Sequence, residues 1–425
     1  MLDLKFIRQN PDVVKAGAAK KKIACDIDRI LELDVSAREL GQEVDALRAE
    51  QRNAGKAIGQ ASPEERPKLL EGQKEAKAKL KALEERLGEL QTELKGLLLL
   101  VPNVPAEEVP EGDDDTDNVE IETWGTPRVF DFEFRDHVAL AEAQDWIEIA
   151  RGAEIAGSRN YILKGDLSLL EGAIMRYALD VMVGKGFTPL SVPTLIRTQT
   201  MIGTGYFPGG EDQAYRCDER DDLCLVGTAE VPVTALHQGE ILSASDLPKK
   251  YVALSSCYRR EAGTYGKDTR GLYRVHQFQK VEQVVIDVND AEKSLEHHHA
   301  ILNNAKEVLQ ALELPYRVVN VCGGDLGQPQ IQKFDIETWM PSRESYGETH
   351  SASRFHEFQA RRLNMRYRGE DKKTQFCHTL NNTVAASTRM LLAVVENHQV
   401  ADGRVWVPEP LRPYLQGREY LGRAL

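Results

Sequence analysis

Residues 252–285, VALSSCYRREAGTYGKDTRGLYRVHQFQKVEQVV, bring an arginine, two carboxylates and an aromatic ring together at spacings that matter. Two stretches, VALSSCYRRE and LYRVHQFQKVEQVVI, read as strands joined by a polar, glycine-rich loop. Alternate residues of a strand share a face. Cys257, Arg259 and Glu261 therefore group on one side of the first strand, and His276, Phe278, Lys280 and Glu282 on one side of the second. Such groups converging across a hairpin suit a ligand that carries phosphate, a purine and an amino group. The same spacing also describes a solvated hairpin with surface charges, and the pattern alone does not choose.

The rest of the chain must hold that hairpin in place. At 425 residues, with 41% hydrophobic and 28% charged content, it has room for two or more domains and a large core. Residues 1–25 read as one or two short helices, with Asn10-Pro11-Asp12 as a start signal. Next, Ile30, Leu33, Ala37, Leu40, Val44, Leu47, Gln51, Ala54 and Ile58 keep a heptad spacing without a slip. A matched series runs Leu69, Gln73, Ala76, Leu80, Leu83, Leu87, Leu90, Leu94 and Leu97. Between them GQASPEERP, with Gly59, Pro63 and Pro67, breaks the helix. Two heptad helices of about 29 residues then fold back as an antiparallel coiled-coil hairpin, an arm of roughly 40 Å. Heptads more commonly serve dimerisation, but a turn between two series of equal length favours pairing within one chain. An arm of this kind reaches towards something large.

Residues 101–118, VPNVPAEEVPEGDDDTDN, are rich in proline and acid and read as a linker. From TWGTPRVFDFEF onward the pattern is mixed. A helix, LSLLEGAIMRYALDVMVGKG, leads into FTPLSVPTLI, followed by LCLVGTAEVPVTAL, the hairpin and a helix at 290–312. The strands PYRVVNVC and KFDIETWM and a last helix near NTVAASTRMLLAVVENHQ complete it. Strands adjacent in sequence and joined by hairpins predict an α+β domain, an antiparallel sheet with helices packed on it.

Several functions are disfavoured. No GxxxxGK[ST] loop is present, so a P-loop nucleotide site is not expected. Six scattered cysteines without a CxxC pair give no disulfide framework and no zinc site. His297, His298 and His299 lie in a helical stretch, where consecutive side chains diverge, and make a poor ligand set. A net charge of −13 confines any nucleic-acid contact to local basic patches, such as Lys20–Lys22 or the stretch from Arg361. The longest apolar run, at 97–101, is far too short for a bilayer, and the N-terminus lacks a signal-peptide layout. A cytoplasmic location is the default expectation.

With these residues in view, the C-terminal 300 residues resemble a class II aminoacyl-tRNA synthetase core, most closely the seryl-tRNA synthetase family. The helix with GFTPLSVPTLI resembles motif 1, with Pro193 as its proline; CYRREAGTYGKDTRGLYRVHQFQKVE resembles motif 2; TRMLLAVVENHQ resembles motif 3, with Arg389 as its arginine. TAE at 228–230, REAG, KDTRG, HQF and the coiled-coil arm are particular to the seryl family. The resemblance implies a tRNA-binding domain at 1–100 with its arm at about 27–98, a linker at 101–125 and a catalytic domain at 126–425. It also implies a homodimer formed through motif 1, tRNA(Ser) held by the arm, and ATP with Mg²⁺ as cofactors; whether tRNA(Sec) is also served, the sequence leaves open.

Carried over by position, Arg259 contacts the ATP α-phosphate and the serine carboxylate, and Arg389 holds the γ-phosphate. Glu261 accepts from the adenine amino group, Phe278 stacks on the ring and Val275 adds backbone contacts. Arg260, Thr349 and His350 belong to the same nucleotide set. Glu348 and Ser351 bind ATP and the metal. Thr228, Ala229 and Glu230 line the site of the serine amino group, and Glu282 and Thr383 recognise serine and its hydroxyl. The implied reaction forms seryl-adenylate and pyrophosphate, then passes the seryl group to the terminal adenosine of tRNA. No further domain that could edit mischarged product is visible.

Two segments depart from the family pattern. Where EISS and Cys-Ser-Asn are usual, this chain reads Glu348-Thr349-His350-Ser351-Ala352-Ser353-Arg354. Where Gly follows HTLN, it has Asn382, with the hydroxyl kept as Thr383. His350 beside the expected metal position would add a charge that changes near a pKa of ~6.5. These departures fit a neutral variant or a paralogue with altered ligand preference, such as an antibiotic-resistant copy. A carrier-protein aminoacyl ligase shares the core but lacks the arm, and a non-catalytic tRNA-binding paralogue would not need Arg259, Glu261, Glu282 and Arg389.

Overall fold

The computed structural model describes residues 1–62, 66–218, 220–263 and 271–425. Part of the turn between the heptad series and most of KDTRG therefore lie outside the described residues, as does the Leu69 side chain. The chain divides into two compact units. One comprises Leu2–Ala19 and Ile23–Pro102; the other comprises Asn103–Leu425 with Met1 and Lys20–Lys22.

In the first unit, short helices Leu4–Gln9 and Pro11–Lys20 precede two long ones, α1 (Ile27–Gln60) and α2 (Arg66–Leu100). Asp26 caps α1 by accepting the Arg29 N–H. The pair runs antiparallel. Ion pairs Arg29–Glu93 (2.7 Å), Glu43–Lys79 (2.9 Å) and Arg48–Glu84 (2.8 Å) link early positions of α1 to late positions of α2. Ile30, Leu33, Val44 and Ile58 are buried with Leu80, Leu90 and Leu94, as the heptads require. Leu98 is buried where Leu97 was expected. The helices have 34 and 35 residues, so each runs about 50 Å at ~1.5 Å per residue. The helix continues beyond the apolar seam at both ends, which the seam alone cannot reveal.

The second unit is built on an eight-stranded sheet. In chain order its elements are β1 (Val119–Trp124), α3 (Gly165–Gly184), β2 (Thr188–Leu190), α4 (Glu230–Thr234), β3 (Lys249–Tyr258) and β4 (Gln277–Asp287). There follow α5 (Ala291–Ala311), β5 (Tyr316–Asn320), β6 (Gln332–Met340), β7 (Ser345–His356), α6 (Phe358–Leu363), β8 (His378–Ala386) and α7 (Ser387–Asn397). The strand order is β1-β5-β6-β7-β8-β4-β3-β2. All neighbours pair antiparallel except β2 and β3, which are parallel at the edge. That pair was not expected, because its connection is long and neither strand carries a signal of direction. The result is an α+β fold, an antiparallel sheet with helices packed on it, as the sequence predicts.

One face of the sheet is covered by α3, α5 and α7, whose apolar sides meet Val281, Val285, Ile336, Leu380 and Val384 in a continuous core. The other face is covered only in part. Ala360 and Leu363 of α6 pack there with Ala229 and Val233 against Val284 and Ile286 of β4.

The segment read as a linker is packed. Asn103 donates from Nδ2 to the carbonyls of Pro329 (3.0 Å) and Phe355 (2.8 Å), and Val109 is buried against Val321 and Leu326. Residues 119–124 add the edge strand β1. Proline and acid mark a segment with no regular structure of its own, which is different from one without partners.

Asn382, the departure after HTLN, faces the covered side. Its Nδ2 donates to the Ile301 carbonyl of α5 at 2.7 Å, beside the same bond from Gln283 at 2.9 Å. Asn382 thus ties β8 to α5. Asn382→Ala should lower the thermal midpoint, at about 1 kcal/mol for one buried hydrogen bond; an unchanged midpoint in thermal denaturation would count against this role.

Candidate active site

The partly covered face opens into a cleft lined by Arg259, Glu261, Val275, Phe278, Glu348, Thr349, Thr383 and Arg389, with Tyr273, Lys280 and Thr388 among the others. Three distant stretches of sequence meet there.

The hairpin forms, but shorter than expected: β3 ends at Tyr258 and β4 begins at Gln277. Beyond it, Arg259 and His276 still exchange bonds, from the Arg259 N–H to the His276 carbonyl (2.9 Å) and between His276 Nδ1 and the Arg259 carbonyl (2.9 Å). Pairing stops at Glu261, which takes φ +51°. Cys257 and Phe278 are cross-strand partners, as are Ser255 and Lys280. The Arg259 guanidinium lies 5.3 Å from the centre of the Phe278 ring, so ring and cation present one continuous surface. Glu261 pairs with Arg274 at 3.5 Å. Burial keeps the Cys257 thiol protonated by pushing it up, which removes it as a nucleophile.

Glu348 and Ser351 stand three residues apart, a spacing that puts them on opposite faces of a regular strand. The register corrects this. Glu337 pairs with Glu348 and Ile336 with His350, leaving Thr349 as a bulge. Asp335 pairs with Ser351, so Asp335, Ser351 and Glu348 share one face. A second bulge does the same on β8, where Glu282 pairs with Thr383 and Val281 with Ala385, and the extra residue, Val384, turns into the core.

The bulge also turns His350 away. It is 1% exposed, with Nδ1 2.7 Å from the Thr349 hydroxyl and Nε2 3.0 Å from the Val384 carbonyl. Burial pushes its pKa down to about 4, so it stays neutral at pH 7 and does not supply the expected pH-dependent charge. Thr349 lines the cleft, but its hydroxyl is engaged with Thr338 (2.7 Å) and His350. Arg260 is not brought in either: its guanidinium lies 5.6 Å over the Tyr215 ring.

At the mouth, Arg389 donates to the Glu348 carbonyl at 2.6 Å and faces its carboxylate at 3.5 Å. Its guanidinium sits 4.6 Å over the Tyr273 ring. Desolvation raises the Glu348 carboxyl, but Arg389, Lys333 and Arg259 outweigh it and hold it below the usual range. Asp335, nearly buried and 3.1 Å from Lys333, is pushed up by burial against the pull of that lysine. Its Oδ1 has no hydrogen-bond partner. Carboxylate and hydroxyl oxygens on one face, one of them unsatisfied, fit a hard divalent cation that also binds substrate phosphates. Elsewhere, His297 pairs with Asp287 at 2.9 Å and His298 bonds the Ala352 carbonyl. Among the described residues no cluster of three His, Cys, Asp or Glu is arranged around a metal position.

The inner end holds buried charge. Lys280 and Glu282, 7% and 2% exposed, pair at 2.6 Å, and Thr383 donates to Glu282 at 3.3 Å. Thr228 accepts the Glu230 N–H at 3.1 Å and Ala229 is fully buried, so TAE forms the turn that aims Glu230 at the start of α4. Burial, then the nearby Glu282, push the Glu230 carboxyl up to about 7, against the Gln359 amide at 2.7 Å and Lys280. Sequence reasoning gave no role to Lys280, Tyr273, Lys333, Asp335 or Gln359. Strand alternation pointed to Lys280; nothing local marked the others.

The fold and this cleft define a class II aminoacyl-tRNA synthetase. The family model "tRNA synthetase class II core domain (G, H, P, S and T)" matches residues 215–398, and "Seryl-tRNA synthetase N-terminal domain" matches residues 1–105. The serine–tRNA ligase of Deinococcus radiodurans is 49% identical across 100% of this chain and 99% of its own. Crystal structures of seryl-tRNA synthetase from Pyrococcus horikoshii complexed with ATP (TM-score 0.91, 39% identity, 100% of both chains) and of the cytoplasmic serine–tRNA ligase from Naegleria fowleri in complex with AMP (0.87, 30%, 99% of both) share its structure. The chain belongs to the seryl-tRNA synthetase family.

A carboxyl whose folded pKa is raised binds its proton more tightly in the native state. Its contribution to stability is full below the unfolded value of 4.5 and is lost as pH rises through about 7. Glu230→Gln should therefore melt above the parent chain at pH 8, with the difference shrinking below pH 5. A difference independent of pH in circular-dichroism melts would contradict this.

Proposed function

We propose that this chain is a working serine–tRNA ligase: it activates serine with ATP, forming seryl-adenylate and pyrophosphate, and transfers the seryl group to tRNA(Ser). The observation that carries this is one cleft in which an arginine–aromatic surface and a second arginine adjoin a buried, acid-lined pocket. Phe278 offers a face for adenine, with Glu261 and Val275 beside it. Arg259 lies where it can bridge the α-phosphate and the serine carboxylate, a planar fork suited to bidentate oxyanion contacts. Arg389 takes the outer phosphates. Glu230 receives the amino group, with Thr228 and Ala229 forming its turn, and Glu282 with Thr383 meets the hydroxyl.

No protein nucleophile is needed, because the serine carboxylate attacks the α-phosphorus and pyrophosphate leaves. The chain contributes alignment and cationic stabilisation of charge that develops on the phosphoryl oxygens. Mg²⁺, held by Glu348 and Ser351, would neutralise phosphate charge. Alanine is rejected because it lacks the hydroxyl that Glu282 and Thr383 would bind, worth ~10⁴-fold or more in a site built for a hydroxyl.

The N-terminal unit, with α1 and α2 as its arm, serves as the tRNA-binding domain; Asn103–Leu425 serves as the catalytic one. The chain acts as a cytoplasmic homodimer through α3 and β2. In support, β2 is an edge strand and Leu169, Val183 and Leu195 are exposed apolar residues in and near these elements. Among the described residues, no helix is long and apolar enough to cross a membrane.

Serine-dependent ATP–pyrophosphate exchange is expected, with alanine, glycine and threonine inactive at equal concentration; exchange without serine dependence overturns the reading. Deleting residues 30–97 should abolish tRNA(Ser) charging and leave exchange intact. Glu348→Gln should raise the Mg²⁺ concentration needed for half-maximal exchange roughly tenfold, the scale of one lost charge-assisted contact, and an unchanged requirement would remove Glu348 from the metal site.

A further inference from the structure

The inner end of the cleft rests on a side chain that no motif marked. Gln359, on α6, has no exposure to solvent. Its Nε2 donates to Glu230 Oε1 at 2.7 Å and to the Thr204 carbonyl at 2.9 Å. Its Oε1 accepts from the Thr379 hydroxyl of β8 at 2.6 Å. A primary amide has two donor hydrogens on one side and an acceptor oxygen on the other. Turned over, Gln359 would set its oxygen against the Thr204 carbonyl with no proton between them, and lose its bond from Thr379. Its surroundings therefore permit one orientation, and that orientation aims an N–H at Glu230.

Glu230 needs such a partner. The Glu282 carboxylate faces it and disfavours its anion, while Lys280, already paired with Glu282, favours it; Tyr206 and Asn381 are its other polar neighbours. The Gln359 N–H reaches it from α6, outside β4, the strand that carries both Glu282 and Lys280.

We propose that Gln359 is a positioning residue for amino-acid recognition, holding the Glu230 carboxylate in the one orientation in which it accepts from the amino group of serine. The inference rests on the reading of Glu230 given above. Gln359 itself does not touch substrate; it acts through Glu230, and Thr379 in turn orients Gln359.

The test uses the full-length chain and serine-dependent pyrophosphate exchange. Gln359→Met keeps length and apolar volume but removes the amide. It should raise KM for serine ~10-fold or more, the scale of a hydrogen bond to a charged group, with KM for ATP within twofold of the parent. The acid limb of kcat/KM for serine should move to higher pH, because a donor that favours the Glu230 anion is gone. Thr379→Val, which keeps shape and removes only the orienting hydroxyl, should give a smaller rise of the same selectivity, and it carries the test if Gln359→Met does not fold. A serine KM within twofold of the parent with an unmoved acid limb overturns the proposal. So does an equal loss for serine and ATP, the signature of a merely structural role. A parent chain with no serine-dependent exchange would sink the reading of the site, and the proposal with it.

Discussion

A regular strand can show one face only its alternate residues, yet this cleft needs Glu348 with Ser351 and Thr383 with Ala386, pairs three apart. Two bulges, at Thr349 on β7 and Val384 on β8, meet that requirement. Each adds one residue and so exchanges the faces of everything beyond it. The same step turns His350 inward, where its Nε2 meets the Val384 carbonyl at 3.0 Å. The two bulges are thus joined through a buried histidine that stays neutral. Cleft and core are set by one register, and neither can be shifted without the other.

Upon that frame the site separates charge by depth. Near the mouth, Arg389 and Arg259 lie against aromatic faces, at 4.6 and 5.3 Å, where a ring supplies favourable potential and still leaves the guanidinium edge open to an anion. Deeper in, Lys280 and Glu282 neutralise one another, and the turn before α4 adds the second carboxylate, Glu230. Removing either member of the buried pair would strand a charge, at a scale of about 3–5 kcal/mol. An amino acid, with its anion outward and its cation inward, matches this gradient; a polyphosphate matches only the outer part. That gradient supports the proposed order of the two substrates, phosphates outward and amino group inward.

Much of this was legible in the residues. The heptads foretold the antiparallel helices, since an apolar seam is the direct cause of their pairing. Alternation placed Phe278, Lys280 and Glu282 together, and family resemblance added Arg389 and TAE. Less legible was whatever depended on a distant partner. Neither bulge has a signature, because Thr349 and Val384 are ordinary strand residues until the neighbouring register is known. Asp335 and Gln359 gain meaning only from Ser351 and Glu230 across space. The packed stretch after Asn103 looked like a linker because its partners, Pro329 and Phe355, lie more than 200 residues away. His350 was misread for the same reason: its place beside Glu348 in sequence said nothing of the face it takes.

On the proposed reading, one cleft holds both ligands at once, with Arg259 between them. Titration calorimetry with a non-hydrolysable seryl-adenylate mimic, a sulfamoyl-linked serine and adenosine, tests it directly. One site per chain is expected, binding at least 100-fold tighter than adenosine or serine alone, with that advantage lost in Arg259→Ala. Binding of the mimic no tighter than its adenosine half, or unchanged in Arg259→Ala, would contradict it.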